Sequence, residues 1–177
     1  MGDSVEGSQT RARARACIVA LLAFSACEVS EEQQRTRAPV DSVLVVFTRD
    51  EASAAVRRPG ADSFPGVRTA LEWLIRGPTP EERAAGIRSW FSDGTVGALK
   101  SVEMDAAGHV IVDFEDLHRL IPNASSSAGS AMLLQELEGT VFQFPEIESV
   151  EFRINGSCDL FWEWLQYGCH AVQRPEG

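Results

Sequence analysis

Histidine is scarce in this chain, and basic residues form no cluster beyond Arg37. The missing cluster excludes a nucleic-acid binder, which needs a basic stripe to displace phosphate counterions. The formal net charge of −10 points the same way and argues against simple electrostatic docking on anionic lipid. His109, His118 and His170 are dispersed, and no His-Glu-x-x-His pattern or Asp-x-Asp-x-Asp-Gly loop marks a zinc or calcium site. No serine sits in a Gly-x-Ser-x-Gly elbow. A secreted cell-wall hydrolase, the main enzymatic alternative, therefore has no visible nucleophile and base. Neither a catalytic residue nor a cofactor site stands out.

Long apolar runs are also absent. The longest, Ala16 to Phe24, is about half the roughly 20 residues a membrane-spanning helix needs. Arg11, Arg13 and Arg15 precede it and the small residues Ser25 and Ala26 come after it, which is the layout of an export signal over residues 1–26. Small residues directly before Cys27 resemble a bacterial lipobox, in which that cysteine is lipidated. Phe24 departs from the usual aliphatic residue, so simple secretion after cleavage at Ser25 stays open beside it. The acidic lead Met1 to Thr10 is long for such a signal, and a start further downstream is the expectation. The polar stretch 27–41, ending near Pro39, reads as a tether. These features place the protein on the outer face of the cytoplasmic membrane, with secretion as the alternative.

With 44% hydrophobic and 24% charged residues, the chain as a whole is globular rather than disordered. Val43 to Phe47 is a strand buried on both faces, and residues 48–66 read as loop. Val67, Ala70, Leu71 and Leu74 mark an amphipathic helix that Gly77-Pro78 stops. Thr79-Pro80-Glu81-Glu82 opens a second helix with a capping box, which accounts for its paired carboxylates. Strands over 99–105 and 109–114 flank Ala106-Ala107-Gly108 as a hairpin. Asp113, Glu115, Asp116 and His118 read as a solvated acidic face, with Asp116 at a helix start. Ser125, Ser126 and Ser127 fall in a loop, and Ser130 suits the cap of a helix carrying Leu133, Leu137, Val141 and Phe144 up to Pro145. Val150 to Ile154 alternates as a last strand closed by Asn155-Gly156. The order β-α-α-β-β-α-β predicts an α+β fold, one mixed sheet with two to three helices packed on it.

Several ordered blocks carry a family resemblance. Ala70-Leu71-x-x-Leu74-Ile75-x-Gly77-Pro78-Thr79-x-Glu81 is succeeded by Gly86-Ile87-x-Ser89, Gly94-Thr95 and Val112-Asp113-Phe114. Gly129-Ser130 and Thr140-Val141-x-Gln143-Phe144-Pro145-x-Ile147-x-x-Val150-x-Phe152-x-Ile154-Asn155-Gly156 complete the set. Together they resemble the GerMN domain of sporulation and germination proteins, over a domain set here at 42–156. The resemblance implies a module that mediates protein–protein or cell-envelope interactions, and it carries no catalytic residue over.

Residues 157–177 depart from that pattern. Cys158 and Cys169 suit a disulfide in an oxidising compartment, with free thiols or a metal site with His170 as alternatives. Between them lie Phe161, Trp162, Trp164 and Tyr167. Two readings fit this density: a small second core over the sheet, or an exposed patch contacting an envelope protein or a cell-wall glycan.

Overall fold

A continuous β-branched and aromatic run makes β1, Ser42–Arg49, whose Val45 and Phe47 are fully buried and whose Val46 and Thr48 are nearly so. The computed structural model describes residues 42–60 and 66–176; the signal, Cys27 and the tether lie outside them. β1 pairs antiparallel with β2, Ala52–Pro59, through a two-residue turn in which Asp50 and Glu51 both take positive φ. Residues 52–59 are therefore a strand, not the loop that the sequence suggested. Their alanines have low strand propensity, and the strand forms because β1 offers it a complete ladder of partners.

The other edge of β1 meets a helix. Helices α1, Gly66–Arg76, and α2, Pro80–Ala84, come after β2, and α4, Ser127–Val141, comes later. Down one face of α4 run Glu136, Gly139 and Thr140, and Gln143 in the turn just beyond the helix continues the line. Thr140 Oγ1 accepts from Val46 N at 3.0 Å. Gln143 accepts from Leu44 N at 2.7 Å and donates to Leu44 O at 2.6 Å. Thr48 donates its hydroxyl to Glu136 and exchanges two backbone bonds with Arg88. Gly139 lets the two backbones close up: a Cβ there would sit 3.0 Å from Val46 Cγ1. The strand edge is thus satisfied by side chains of a helix, as a buried edge requires.

A second sheet has the order β3-β4-β5-β6, formed by Leu99–Met104, His109–Phe114, Ser149–Ile154 and Val172–Gln173. β3 and β4 form the expected hairpin around Gly108, where positive φ and a close approach to Glu146 O admit only glycine. β4 and β5 are parallel, joined by a crossover through α3, Leu117–Leu120, and α4. Val110, Val112, Phe114, Val150, Phe152 and Ile154 supply its buried face, against α1, α4 and α5, Cys158–Trp164. The fold is α+β, but the single mixed sheet expected from the sequence is divided into a two-stranded and a four-stranded one. β1 cannot join the second sheet because α4 occupies its free edge.

Local signals before the second sheet act as their residues imply. Gly77 is left-handed, with φ 75° and a Cβ position only 2.3 Å from Phe91 O. Thr79 and Glu82 form the capping box, and Glu82 also takes a bidentate ion pair from Arg58 at 2.7 and 2.6 Å. That pair ties β2 to α2 and holds the Glu82 carboxyl below its ordinary range. At α4 the expectation from sequence needs correction. Ser126 is the N-cap, accepting from Gly129 N, while Ser130 lies inside the helix and donates to Ser126 O and Ser127 O. The helix ends at Val141, so Phe144 belongs to the turn beyond it.

Replacing Thr140 by the near-isosteric Val leaves Val46 N–H buried without an acceptor, which costs about 1–3 kcal/mol. Urea unfolding should show a lower midpoint with an unchanged slope; an unchanged midpoint would contradict the bridging role given to this stripe.

Candidate functional site

Where parallel strands end, the chain must turn away and backbone groups open into a crevice. β4 ends at Phe114 and β5 at Ile154, side by side in register. After β5, Asn155 and Gly156 take positive φ and close a tight turn, held by Asn155 N to Phe114 O and Gly156 N to Asp113 Oδ1. Ser157 then caps α5 by accepting from Leu160 N. After β4, Asp116 caps α3 by accepting from Arg119 N at 3.2 Å. Two short helices therefore rise from adjacent strand ends and leave a space between them.

That space is a cavity of about 480 Å³, floored by Ile154 and walled by Asp116 and His118 on one side and Leu160, Glu163 and Trp164 on the other. Its rim also includes Asn155, whose Oδ1 accepts from Lys100 Nζ. His118 meets Trp164 edge-on, ring centroids 6.2 Å apart. The pocket is partly apolar and carries two carboxylates.

The segment behind it is core. Phe161, Trp162 and Leu165 are buried, with Phe161 5.3 Å from Phe152 and 6.4 Å from Phe114 between ring centroids. Trp162 lies 3.8 Å from the His170 ring. Phe161 and Trp162 are therefore not partner contacts: packing on β5 removes them from the surface. Trp164 is half-buried at the pocket, and Tyr167 is exposed. Cys158 and Cys169 are bonded, with Cα atoms 5.4 Å apart. The Arg174 guanidinium, donating to the carbonyls of Phe142, Phe144 and Ile147, fastens the end of the segment to the turn after α4.

Other reactive groups sit elsewhere. His109 Nδ1 and Ser149 Oγ lie 2.8 Å apart as cross-strand neighbours, at the opposite end of β4 and β5 from the cavity. Sequence reasoning missed this Ser–His contact because the two are 40 residues apart. Asp105 bonds the His109 backbone rather than its ring, so among the described residues no third group orients the imidazole for catalysis. Asp113, Asp116 and His118 are spent on the turn, the cap and the Trp164 contact, and among the described residues no His/Cys/Asp/Glu group could hold a metal.

Glu136 was also missed. Its position between Leu133 and Leu137 on a buried face was the available signal. It is fully buried between Ser89 Oγ at 2.7 Å and Thr48 Oγ1 at 2.9 Å, and burial pushes its carboxyl up to about 7. A shifted carboxyl marks a site only when it faces a cleft. This one faces β1 and the Ser89 loop, and its role is to join them.

Comparison with known proteins bears on most of the chain. A family model described as "Germane: Sporulation and spore germination" matches residues 29–158. The chain belongs to the Germane family. The match ends at the first residue of α5, so the far wall of the pocket and the aromatic segment lie beyond the family's matched region. The first GerMN domain of the sporulation protein GerM from Bacillus subtilis is similar at 24% identity, with a TM-score of 0.49 over 65% of this chain and 83% of that one. The tandem GerMN domains of the same protein give 23% identity and a TM-score of 0.49, over 65% of this chain and 39% of theirs. No curated protein matches.

Two measurements bear on these assignments. In the folded state Glu136 keeps its proton at pH values where the unfolded chain, near 4.5, has released it. Its contribution to stability is complete below pH 4.5 and falls as pH rises to about 7, by on the order of 3 kcal/mol. Glu136→Gln should flatten that decline in urea midpoints between pH 5 and 8; parallel profiles would refute it. Trp162→Ala should cost about 3–5 kcal/mol and leave a single unfolding transition. A separate, early transition would instead make the segment an appendage.

Proposed function

We propose that this chain is a non-catalytic interaction module of the cell envelope, exported, lipidated on Cys27 and anchored to the outer face of the cytoplasmic membrane. Membership of a sporulation and germination family supports an envelope setting. The export layout before Cys27 and a disulfide between Cys158 and Cys169 suit an oxidising exterior. The observation that carries the interaction reading is the pocket between α3 and α5. Its walls hold an indole, a histidine, an exposed leucine and two carboxylates, and among the described residues no serine, threonine or cysteine nucleophile lines it. Such a surface suits binding rather than turnover.

Mass spectrometry of the native protein should find Cys27 as the N-terminal residue with its acyl chains; two or more chains give stable anchoring where one is marginal. An unlipidated N-terminus at Ala26 would replace anchoring by secretion. The purified protein should release no soluble fragments from peptidoglycan. Release that survives purification and is lost in His109→Ala would establish an enzyme instead.

A further inference from the structure

Of the four exposed large apolar side chains among the described residues, two belong to the helices that border the pocket, Leu120 on α3 and Leu160 on α5, and a third, Tyr167, comes three residues after α5. Leu160 itself is 53% exposed on the pocket wall. A water-filled crevice gains nothing from such a residue; an apolar ligand stem does. The wall also carries charge. Ion pairs among the described residues join Arg58 to Glu82, Arg68 to Glu72, Lys100 to Asp113 and Arg153 to Glu151. Asp116 and Glu163 enter none of them, although Asp113, which holds the turn at the rim, is paired with Lys100. The pocket thus pairs an apolar and aromatic wall with two carboxylates that enter no ion pair among the described residues, Asp116 using only Oδ1 in the α3 cap and Lys100 at the rim being held by Asp113 and Asn155, in a chain of net charge −10.

We infer that this pocket seats a lysine or arginine side chain of a partner protein, its methylene stem against Leu160 and Trp164 and its cation between Asp116 and Glu163. The inference rests on the interaction-module reading and names its partner chemistry. Basic side chains alone among the common residues join a long apolar stem to a positive end. The cation would gain charge-assisted hydrogen bonds from the carboxylates and the attraction of the indole face. An anionic ligand meets two like charges, and a saccharide offers little apolar surface to Leu160. The acidic field of the whole domain speeds encounter with a basic partner. Because the α5 wall lies beyond the family match, this recognition is an addition of this chain to a shared domain.

The test uses the full chain in detergent, with 15N-labelled tryptophan side chains observed by NMR. The probes are acetyl-Leu-Arg-Leu-amide, its Gln counterpart and N,N′-diacetylchitobiose. The Arg peptide should move the Trp164 resonance and bind about tenfold more tightly than the Gln peptide, with affinity falling as salt rises. Asp116→Asn, which keeps the α3 cap, and Glu163→Gln should each weaken it about fivefold with unchanged thermal unfolding. Equal binding of the Arg and Gln peptides overturns the inference, and so does a Trp164 response to the disaccharide alone, which would assign the pocket to glycan. Silence of Trp164 toward all three probes overturns it too. That last result removes this occupant alone; anchoring and the absence of turnover are tested separately, by the lipid and peptidoglycan measurements.

Discussion

The free edge of β1 is the constraint on which the rest of the fold depends. A buried strand edge must find partners for its N–H and C=O groups, and a third strand is the ordinary solution. Here α4 takes that place. Glu136, Thr140 and Gln143 reach Thr48, Val46 and Leu44 in turn, with helix and strand running in opposite directions and Gly139 bringing them close. With that edge closed, β1 can bury both faces with β2 as its one partner strand, and the second sheet forms independently around β4 and β5. Glu136 extends the link to Ser89, so the loop after α2 is held by the same stripe. Its raised pKa is the electrostatic consequence of burying a carboxyl where only neutral hydrogen-bond donors, the Ser89 and Thr48 hydroxyls and the Trp90 backbone, answer it.

The C-terminal segment solves a different problem. The face of β4 and β5 that carries Phe114 and Phe152 would remain wet near the strand ends without a cover, and α5 supplies one with Phe161 and Trp162. A seven-residue helix is too short to hold its place by propensity, so it is fixed from outside. The disulfide constrains it at one end, and Arg174 fastens the chain beyond it to the carbonyls after α4. Having been fixed, the helix presents its remaining face, Leu160, Glu163 and Trp164, across from α3. The pocket is therefore a by-product of core closure that also supplies a recognition surface, and rigid placement lowers the ordering cost of binding there.

What the residues themselves determined was local and repetitive. The alternation in Val110 to Phe114 and Val150 to Ile154 specified half-buried strands, because a period of two has one structural meaning. Gly77-Pro78, the Thr79–Glu82 box and the Asn155-Gly156 turn specified where elements begin and end, because each acts through its own backbone. The ordered blocks from Ala70 to Gly156 carried the family as well. Only the tertiary structure decided matters that depend on distant partners. Ala52 to Pro59 is a strand because β1 lies beside it, not because alanine prefers one. Ser126 rather than Ser130 caps α4, since several serines could cap and packing chose the register. The segment holding Phe161, Trp162 and Trp164 offered core and surface readings with equal composition. It took both, two aromatic rings inward and one at the pocket, because a helix on a sheet has one face for each.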